Sequence, residues 1–180
     1  MKKDLIQEIE IPDRTKINVE NKKIIVEGPL GKDEREFDIG TAKIENKSNK
    51  IIISKKNSTK KDKRILKTIV AHIVNMIKGV NSKFEYKLKI CFNHFPFNVK
   101  VDGNKVFVKN FLGEKKERVV NIPKNVEIRI EKEYIYVSSI NKEIAGQTAA
   151  NLEKVTRIRN RDNRIFQDGI YIINKNKKEI

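Results

Sequence analysis

Cysteine is almost absent from the chain, since Cys91 is the only one among 180 residues. A single thiol excludes an internal disulfide, and with two histidines no cluster with the spacing of a Cys/His metal site exists. Cys91 itself falls in a predicted strand, where we expect it to act as a small apolar residue. The sequence therefore predicts neither a metal nor any other cofactor.

Long hydrophobic runs are also missing. The first residues, MKKDLIQEIEIPDR, contain no apolar core of a secretory signal, and no run approaches the ~20 apolar residues that cross a membrane. Hydrophobic residues make up 38% of the chain, which is enough for a buried core. These patterns indicate an intracellular, cytoplasmic protein without a membrane span.

Acidic residues are scarce relative to basic ones. The chain has 40 lysines and arginines against 24 aspartates and glutamates, which gives a formal net charge of +16. Such an excess repels itself in a compact protein, so it usually serves a polyanionic partner. Nucleic acid is the common partner of this kind, and an anionic membrane surface is the rarer one.

Residues arranged for catalysis are the last absence. The carboxylates show no spacing typical of a metal or acid–base site, and Gly28–Gly31 (GPLG) lacks the GxxxxGK[ST] pattern, which favours a turn between strands. His72 falls at the edge of a predicted helix, where we expect a bond to backbone, water or RNA. His94 lies among aromatic residues in NHFPF, where a structural hydrogen bond is expected and an RNA contact is the alternative. We therefore interpret the chain as a protein that is not an enzyme.

What the chain does have is three basic clusters, all at predicted loops or element ends. Lys55–Arg64 carries six basic residues and one acid, and Lys154–Arg164 carries five and one. Asn110–Arg118 adds Lys115, Lys116 and Arg118, and the tail adds Lys175, Lys177 and Lys178. A single charge run is often only a solvated face, but loop cations can also contact phosphates and release counterions.

An internal repeat organises the chain. Ile11–Val26 (IPDRTKINVENKKIIV) aligns without a gap with Ile122–Val137 (IPKNVEIRIEKEYIYV), with six of sixteen positions identical. Apolar residues alternate on either side of a polar turn in both copies, which predicts two hairpins. Similarity of this size suggests a duplicated unit.

One helical pattern follows each copy of the repeat. Lys63–Lys78 carries an apolar stripe, with Gly79 as the expected C-terminal stop, and Asn141–Val155 begins with a good N-cap residue. Gly146 inside the second helix is interpreted either as a point of close packing or as a tolerated glycine. Strands are predicted at Lys50–Ser54, Phe84–Phe92, Phe97–Val101 and Lys105–Asn110, with Asp102-Gly103-Asn104 as a tight turn.

This order of elements predicts an α+β fold. It contains two similar tandem domains, at residues 1–81 and 82–180, each an antiparallel sheet packed against one helix. The break is expected near Val80–Lys83.

Several segments, in this order, resemble the universal ribosomal large-subunit protein of the L-six family, called L-nine in eukaryotic ribosomes. The resemblance runs from Ile9 to Ile173 and belongs to the archaeal and eukaryotic branch, leaning archaeal. The segments that carry it are IPDRTKINVENKKIIVEGPLGKDEREF, AHIVNMIKGV, FEYKLKICFNHFPFNV, NFLGEK and NKEIAGQTAANLEKVTRIRNRDNRIFQDGIYI.

The resemblance implies a structural protein of the large ribosomal subunit that supports translation. It implies binding to large-subunit ribosomal RNA, mainly by the second domain and its C-terminal extension, near the sarcin–ricin loop and the base of the factor-binding stalk. Neighbouring ribosomal proteins and nearby translation factors are the other implied partners. The family's Gly-Gln-x-Ala-Ala motif falls on Gly146, Gln147, Ala149 and Ala150, and its Asp-Gly-Ile-Tyr ending falls on Asp168–Tyr171.

The residues expected to contact the RNA combine this motif with the basic clusters. Tyr171 and Phe166 are aromatic residues that we expect to pack the tail onto the domain, with base stacking as the alternative. One departure from the family is Ser139, where glycine is frequent, so a left-handed backbone there would be strained. The expected RNA contacts are Lys109, Lys115, Lys116, Arg118, Gly146, Gln147, Lys154, Arg157, Arg159, Arg161, Arg164, Lys175 and Lys177.

Two other functions fit the charge pattern. One is a general nucleic-acid-binding basic protein that is not integral to the ribosome, which would also bind duplex DNA. The other is an RNA-processing enzyme, which would yield a cleaved or modified product.

Overall fold

The computed structural model describes residues 3–20, 22–38, 40, 42–47, 49–162, 164–176 and 178–179. The chain divides into two compact units, Met1–Lys83 and Phe84–Ile180. Within the described residues, each unit contains one α-helix and two antiparallel sheets. The α+β fold predicted from the sequence is confirmed, with the difference that each helix has a second sheet beside it.

The first unit is built from six strands followed by helix α1. One three-stranded sheet has the order β2-β3-β4 and the other has the order β1-β6-β5. Helix α1 packs against strands of both sheets. The elements are β1 (Lys3–Glu10), β2 (Lys16–Glu20), β3 (Lys23–Gly28), β4 (Gly31–Glu36), β5 (Lys43–Lys47), β6 (Lys50–Ser58) and α1 (Lys60–Asn81).

Helix α1 is longer than predicted at both ends. Its N-cap is Thr59, whose side chain accepts a hydrogen bond from the Asp62 N–H while the Asp62 carboxylate accepts one from the Thr59 N–H, a capping box. Gly79 is not the C-terminal stop that was predicted, because it is buried in the last turn next to the fully buried Val80. The helix ends at Asn81, one residue after Val80, the last buried apolar residue of the stripe.

The cluster Lys55–Arg64, predicted at a loop or an element end, lies where one element ends and the next begins. Strand β6 continues to Ser58, so the cluster spans the end of a strand, the cap at Thr59 and the first turns of α1. The strand was predicted to end at Ser54, because lysines and polar residues follow that position. Pairing of β6 with β1 continues instead to Ser58, opposite Lys3.

The second unit has eight strands around helix α2. Its five-stranded sheet has the order β11-β12-β7-β13-β14, and its three-stranded sheet has the order β10-β9-β8. Helix α2 packs against both sheets. The elements are β7 (Phe84–Cys91), β8 (Asn98–Asp102), β9 (Lys105–Lys109), a short 3-10 turn (Phe111–Gly113), β10 (Arg118–Asn121), β11 (Val126–Glu131), β12 (Tyr134–Ser139), α2 (Lys142–Val155), β13 (Gly169–Lys175) and β14 (Lys178–Glu179).

The repeated segments form hairpins with the same register, as predicted. Ile17 pairs with Val26 in the hairpin β2-β3, and Ile128 pairs with Val137 in the hairpin β11-β12. These four residues occupy equivalent positions of the two copies of the repeat. The equal register supports a duplicated unit.

Apolar side chains from both sheets and the helix fill each core. In the second unit, Leu88, Ile135 and Leu152 are fully buried. The core cluster around them also takes in Val106, Val108 and Phe111 from the three-stranded sheet side. This packing fixes the carboxyl end of α2, from which the arginine-rich segment leaves.

Candidate nucleic-acid interface

Helix α2 sets where the basic segment begins. Asn141 caps its amino end, as predicted, by accepting hydrogen bonds from Glu143 N at 2.9 Å and Ile144 N at 3.2 Å. The buried Thr156 follows the last helical residue, and its Oγ1 donates to Glu153 O at 3.1 Å and accepts from Ile170 N at 2.9 Å. Thr156 therefore joins the end of α2 to β13, a role that only the folded structure reveals.

Gly146 allows α2 to approach the sheet closely. A Cβ atom at this position would lie 3.0 Å from the Tyr86 hydroxyl oxygen on β7, which is tighter than normal packing. The close-packing interpretation of Gly146 is therefore supported over simple tolerance. Gln147 is exposed on the same helix and donates to Asn151 Oδ1 at 2.9 Å.

Five of the predicted RNA contacts meet at one groove, which we call the basic groove. It has a volume of about 510 Å³ and lies between the end of α2, the segment after it and the turn before β10. Glu114 is the only acidic residue among those that line it. Its lining residues are Leu112, Glu114, Arg118, Lys154, Val155, Arg157, Ile158, Arg159 and Arg161.

Arg118 forms one wall of the basic groove and is held by the protein itself. Its Nη1 donates to Val155 O at 2.6 Å, and its Nε donates to Glu114 Oε2 at 2.8 Å. The guanidinium also lies 4.5 Å from the centre of the Phe111 ring. Hydrogen bonding by Arg118 lowers the pKa of Glu114, so this carboxylate stays ionised and its charge is compensated.

Three cations of the basic groove have no such partner. Lys154, Arg157 and Arg159 are exposed, and their side chains make no hydrogen bond or ion pair within the described part of the chain. Lys115 and Lys116, in the turn before β10, are exposed in the same way. These charges are available to an anionic ligand.

Other predicted contacts are partly engaged within the chain. Arg164 donates to both carboxylate oxygens of Asp162, each at 3.2 Å, and Lys109 pairs with Glu117 at 2.6 Å. Hydrogen bonds from Arg164 lower the pKa of Asp162, the bond from its backbone N–H having the larger effect and those from its side chain the smaller.

The predicted tail contact Lys175 is not among the residues that line the groove. Lys175 is exposed at the end of β13, and Lys177 falls outside the described residues.

A buried carboxylate anchors the far end of the basic segment. Asp168 is 1% exposed and accepts hydrogen bonds from Asn93 N at 2.8 Å, His94 N at 2.9 Å and His94 Nδ1 at 2.7 Å. Burial alone would raise the pKa of Asp168, but the hydrogen bonds from His94 and Asn93 lower it overall. The structural hydrogen bond expected of His94 is confirmed.

The side chains of His94, Phe166 and Arg161 form a stack next to Asp168. The His94 ring lies parallel to the Phe166 ring, with centroids 4.5 Å apart, and the Arg161 guanidinium lies 4.7 Å from the Phe166 centroid. We call Asp168, His94, Phe166 and Arg161 the clamp. Phe166 packs the tail back onto the domain, as expected. The clamp fixes the Asp168 end of the basic segment, and Thr156 fixes the other end.

A second, larger groove lies on the other side of the segment. Its volume is about 1030 Å³, and Lys154, Arg157 and Ile158 line it together with residues of β13 such as Ile170 and Tyr171. Tyr171 is 41% exposed there, and burial of the rest of the ring raises the pKa of its hydroxyl. Lys154 and Arg157 therefore stand between two grooves.

Two residues outside the interface, His72 and Ser139, were also singled out in the sequence. The ring of His72 meets the side chain of Arg35, with His72 Nδ1 and Arg35 Nη1 3.1 Å apart. Ser139 is an extended residue of β12 whose hydroxyl donates to Asn125 O at 2.7 Å, so no left-handed turn strains it.

The structure contains few other features that bear on function. In the described ranges, no helix is both long and apolar enough to cross a membrane. No group of three or more His, Cys, Asp or Glu side chains among these residues is placed to hold a metal ion.

Comparison with known proteins finds relatives along the whole chain. The model of the ribosomal protein L6 family matches residues 95–169, which include every lining residue of the basic groove. The chain is 42% identical to the large ribosomal subunit protein uL6 of Methanobrevibacter smithii over 169 residues, 94% of this chain and 95% of the relative. It is 39% identical to uL6 of Methanothrix thermoacetophila and 41% identical to uL6 of Methanosarcina mazei, each over 175 residues, 97% of this chain and 99% of the relative.

Proposed function

The chain belongs to the ribosomal protein L6 family, and on this premise we propose that it holds large-subunit ribosomal RNA through the basic groove. As a member of this family it is a structural constituent of the large ribosomal subunit and not an enzyme. The RNA-processing enzyme considered from the charge pattern is therefore set aside.

One observation carries the proposal. Lys154, Arg157 and Arg159 converge on one groove, and their side chains have no partner in the described part of the protein. Cations placed in this way exchange condensed counterions for RNA phosphates, which favours binding at low salt. The planar guanidinium of arginine adds the capacity to bond phosphate in a bidentate way and to stack on bases.

Fixed positions make these cations more effective. Thr156 and the Arg118 bond to Val155 O hold one end of the segment, and the clamp holds the other. A segment ordered before binding loses less conformational entropy when the RNA arrives. We propose that the two remaining groove arginines, Arg118 and Arg161, mainly keep the free cations in place.

The site on the ribosome follows from the family resemblance. We propose that the bound RNA lies near the sarcin–ricin loop and the base of the factor-binding stalk, with neighbouring ribosomal proteins and translation factors close by. The other predicted contacts, Lys109, Lys115, Lys116, Arg164, Lys175 and Lys177, are proposed to contact RNA outside the groove. Gly146 and Gln147 are proposed to contribute through the helix surface.

The test removes the unpaired charge of the groove and measures the salt dependence of binding. In Arg157→Gln/Arg159→Gln, we expect the negative slope of log affinity against log salt to become shallower by about 2, because two phosphate contacts are lost. The probe is large-subunit ribosomal RNA of the source organism, and sucrose gradients at rising salt follow retention on the large subunit. A slope equal to that of the unchanged protein would contradict the proposal.

A matched control separates local contacts from net charge. Arg14→Gln/Arg129→Gln removes the same charge from exposed arginines outside the groove, one of which already pairs with Glu131 at 3.0 Å. We expect it to keep the original slope. Competition with duplex DNA tests the general nucleic-acid-binding alternative, which predicts that DNA displaces the ribosomal RNA.

A further inference from the structure

Helix α1 of the first unit carries a second cationic surface. Lys60, Lys63, Arg64 and Lys67 are all exposed and follow the spacing i, i+3, i+4, i+7. At 3.6 residues per turn this spacing places the four side chains on one face of the helix, away from the buried Leu66 and Ile69. We call these four residues the α1 stripe.

The stripe is unfavourable for the helix that carries it. Lys60 with Arg64, and Lys63 with Lys67, are like-charged pairs at i, i+4, which destabilise a helix. Cations in the first turn also oppose the positive end of the helix dipole, where acidic residues are favoured. Such a cost indicates that the charges serve an interaction rather than the fold.

The one acid in this turn does not neutralise the stripe. The Asp62 carboxylate accepts hydrogen bonds from Lys55 Nζ at 2.6 Å, Thr59 N at 2.9 Å and Thr59 Oγ1 at 2.8 Å. This carboxylate is thus engaged by Lys55 and Thr59, which are not part of the stripe. In the described part of the chain, the stripe side chains make no ion pair of their own.

We propose that the α1 stripe is a separate RNA-binding surface, which contacts the phosphate backbone of ribosomal RNA. The inference rests on the proposed function, because it adds a contact in the first unit to the RNA contact of the basic groove. Side chains three and four residues apart on a helix are about 5–6 Å apart at Cβ, so long lysines on this face can reach successive phosphates. Such contacts grip RNA without reading its sequence.

The composition of the stripe favours RNA over an acidic protein. The cores of protein interfaces are depleted of lysine and enriched in aromatic residues that fill pockets. The stripe is mostly lysine, and Ile65, the large hydrophobic residue of α1 with 41% exposure, points to a different side of the helix. The α1 stripe presents charges without an apolar side chain among them, and such a surface fits a phosphate backbone.

The experiment neutralises the stripe in the full-length protein. Lys60→Gln/Lys63→Gln/Lys67→Gln keeps helix propensity, since glutamine and lysine are nearly equal in this respect. We expect the negative slope of log affinity against log salt for large-subunit ribosomal RNA to become shallower by about 2 to 3. We also expect the melting temperature to stay equal or rise, because repulsion between like charges is removed.

The matched control changes the same charge in the same unit. Lys23→Gln/Lys32→Gln/Lys50→Gln removes three lysines that already pair with Glu34 at 3.1 Å, Glu27 at 3.4 Å and Glu8 at 3.3 Å. We expect this variant to keep the original slope. A second variant, Lys60→Arg/Lys63→Arg/Lys67→Arg, keeps the charge and should bind as the unchanged protein does.

The possible results separate the two proposals. If the stripe variant keeps the original slope while Arg157→Gln/Arg159→Gln loses part of it, the stripe proposal is overturned and the proposed function stands. If both variants keep it, both proposals fail. If the stripe variant binds RNA normally but loses binding to polyglutamate, the stripe serves an acidic protein and the RNA assignment is wrong.

Discussion

At the scale of single residues, the arginines of the basic segment divide into two kinds. Arg118 and Arg161 are bonded or stacked within the protein, whereas Arg157 and Arg159 have no side-chain partner among the described residues. The sequence pattern could not separate them. The partners of Arg118 and Arg161, Val155 and Phe166, come into place only through packing of the helix end and the tail.

Arg118 gives the first prediction for stability. Arg118→Lys should lower the free energy of unfolding by about 1–2 kcal/mol, because lysine cannot bond Val155 O and both Glu114 oxygens with one planar fork. Urea unfolding measures the change. Arg159→Lys is the control, and an equal loss in both variants would show that the internal bonds of Arg118 are not the cause.

Asp168 gives a prediction with a pH dependence. Asp168→Asn should lower the free energy of unfolding at neutral pH by about 2 kcal/mol, since an amide NH₂ would replace one of the two oxygens that accept hydrogen bonds from Asn93 and His94. The pKa of Asp168 is lowered in the folded protein, so its contribution is present above the unfolded pKa of about 3.9 and is lost as pH falls below it.

The measurement compares urea unfolding of both proteins from pH 5 to pH 2.5. The difference between wild type and Asp168→Asn should be full at pH 5 and should shrink as the pH falls. A difference that stays constant over this range would mean that the charge of Asp168 adds nothing to the clamp. RNA binding should also weaken in the variant, because the basic segment loses one anchor.

At the scale of elements, the interior of each helix could be predicted from its apolar stripe, but the ends of α1 could not. The capping box at Thr59 uses aspartate at Asp62, where the usual pattern has glutamate or glutamine, and Gly79 has the composition of a stop. The turn between strands at Gly28–Gly31 implied a strand after it, but the extent of that strand, β4 (GKDERE), could not be predicted because it has no apolar residue. Its pairing with the buried strand β3, which is set by the fold, makes it a strand.

The cap of α1 can be tested directly. Thr59→Ala should lower the free energy of unfolding by about 1 kcal/mol, because the Asp62 N–H loses its side-chain acceptor. Ser82→Ala at the other end should change it little, since the backbone N–H of Ser82 still donates to Lys78 O at 2.8 Å when the longer side-chain bond to the same oxygen, at 3.4 Å, is lost. Equal effects in urea unfolding at both ends would contradict this account of the helix ends.

At the scale of the whole molecule, the sequence predicted the duplication through Ile11–Val26 and Ile122–Val137, and the register of both hairpins agrees with it. It also located the arginines of the candidate interface. The clamp could not be predicted from the sequence, because His94 and Asp168 are 74 positions apart and meet only when β7 and β13 pair. Long-range pairing of this kind leaves no periodic signal in the sequence.

The net charge of +16 predicts opposite effects of salt on stability and on binding. The described ion pairs of the surface, such as Lys23–Glu34 and Lys50–Glu8, are exposed and worth little, so repulsion among unpaired cations should dominate the electrostatics of the folded state. Raising the salt from 0.01 M to 0.1 M shortens the screening length from about 30 Å to about 10 Å. The melting temperature of the free protein should therefore rise over the range in which its affinity for RNA falls.

A melting temperature that falls with salt would mean that attractive pairs outweigh the repulsion. In that case, the excess of basic residues would not destabilise the fold, and it would no longer indicate a polyanionic partner.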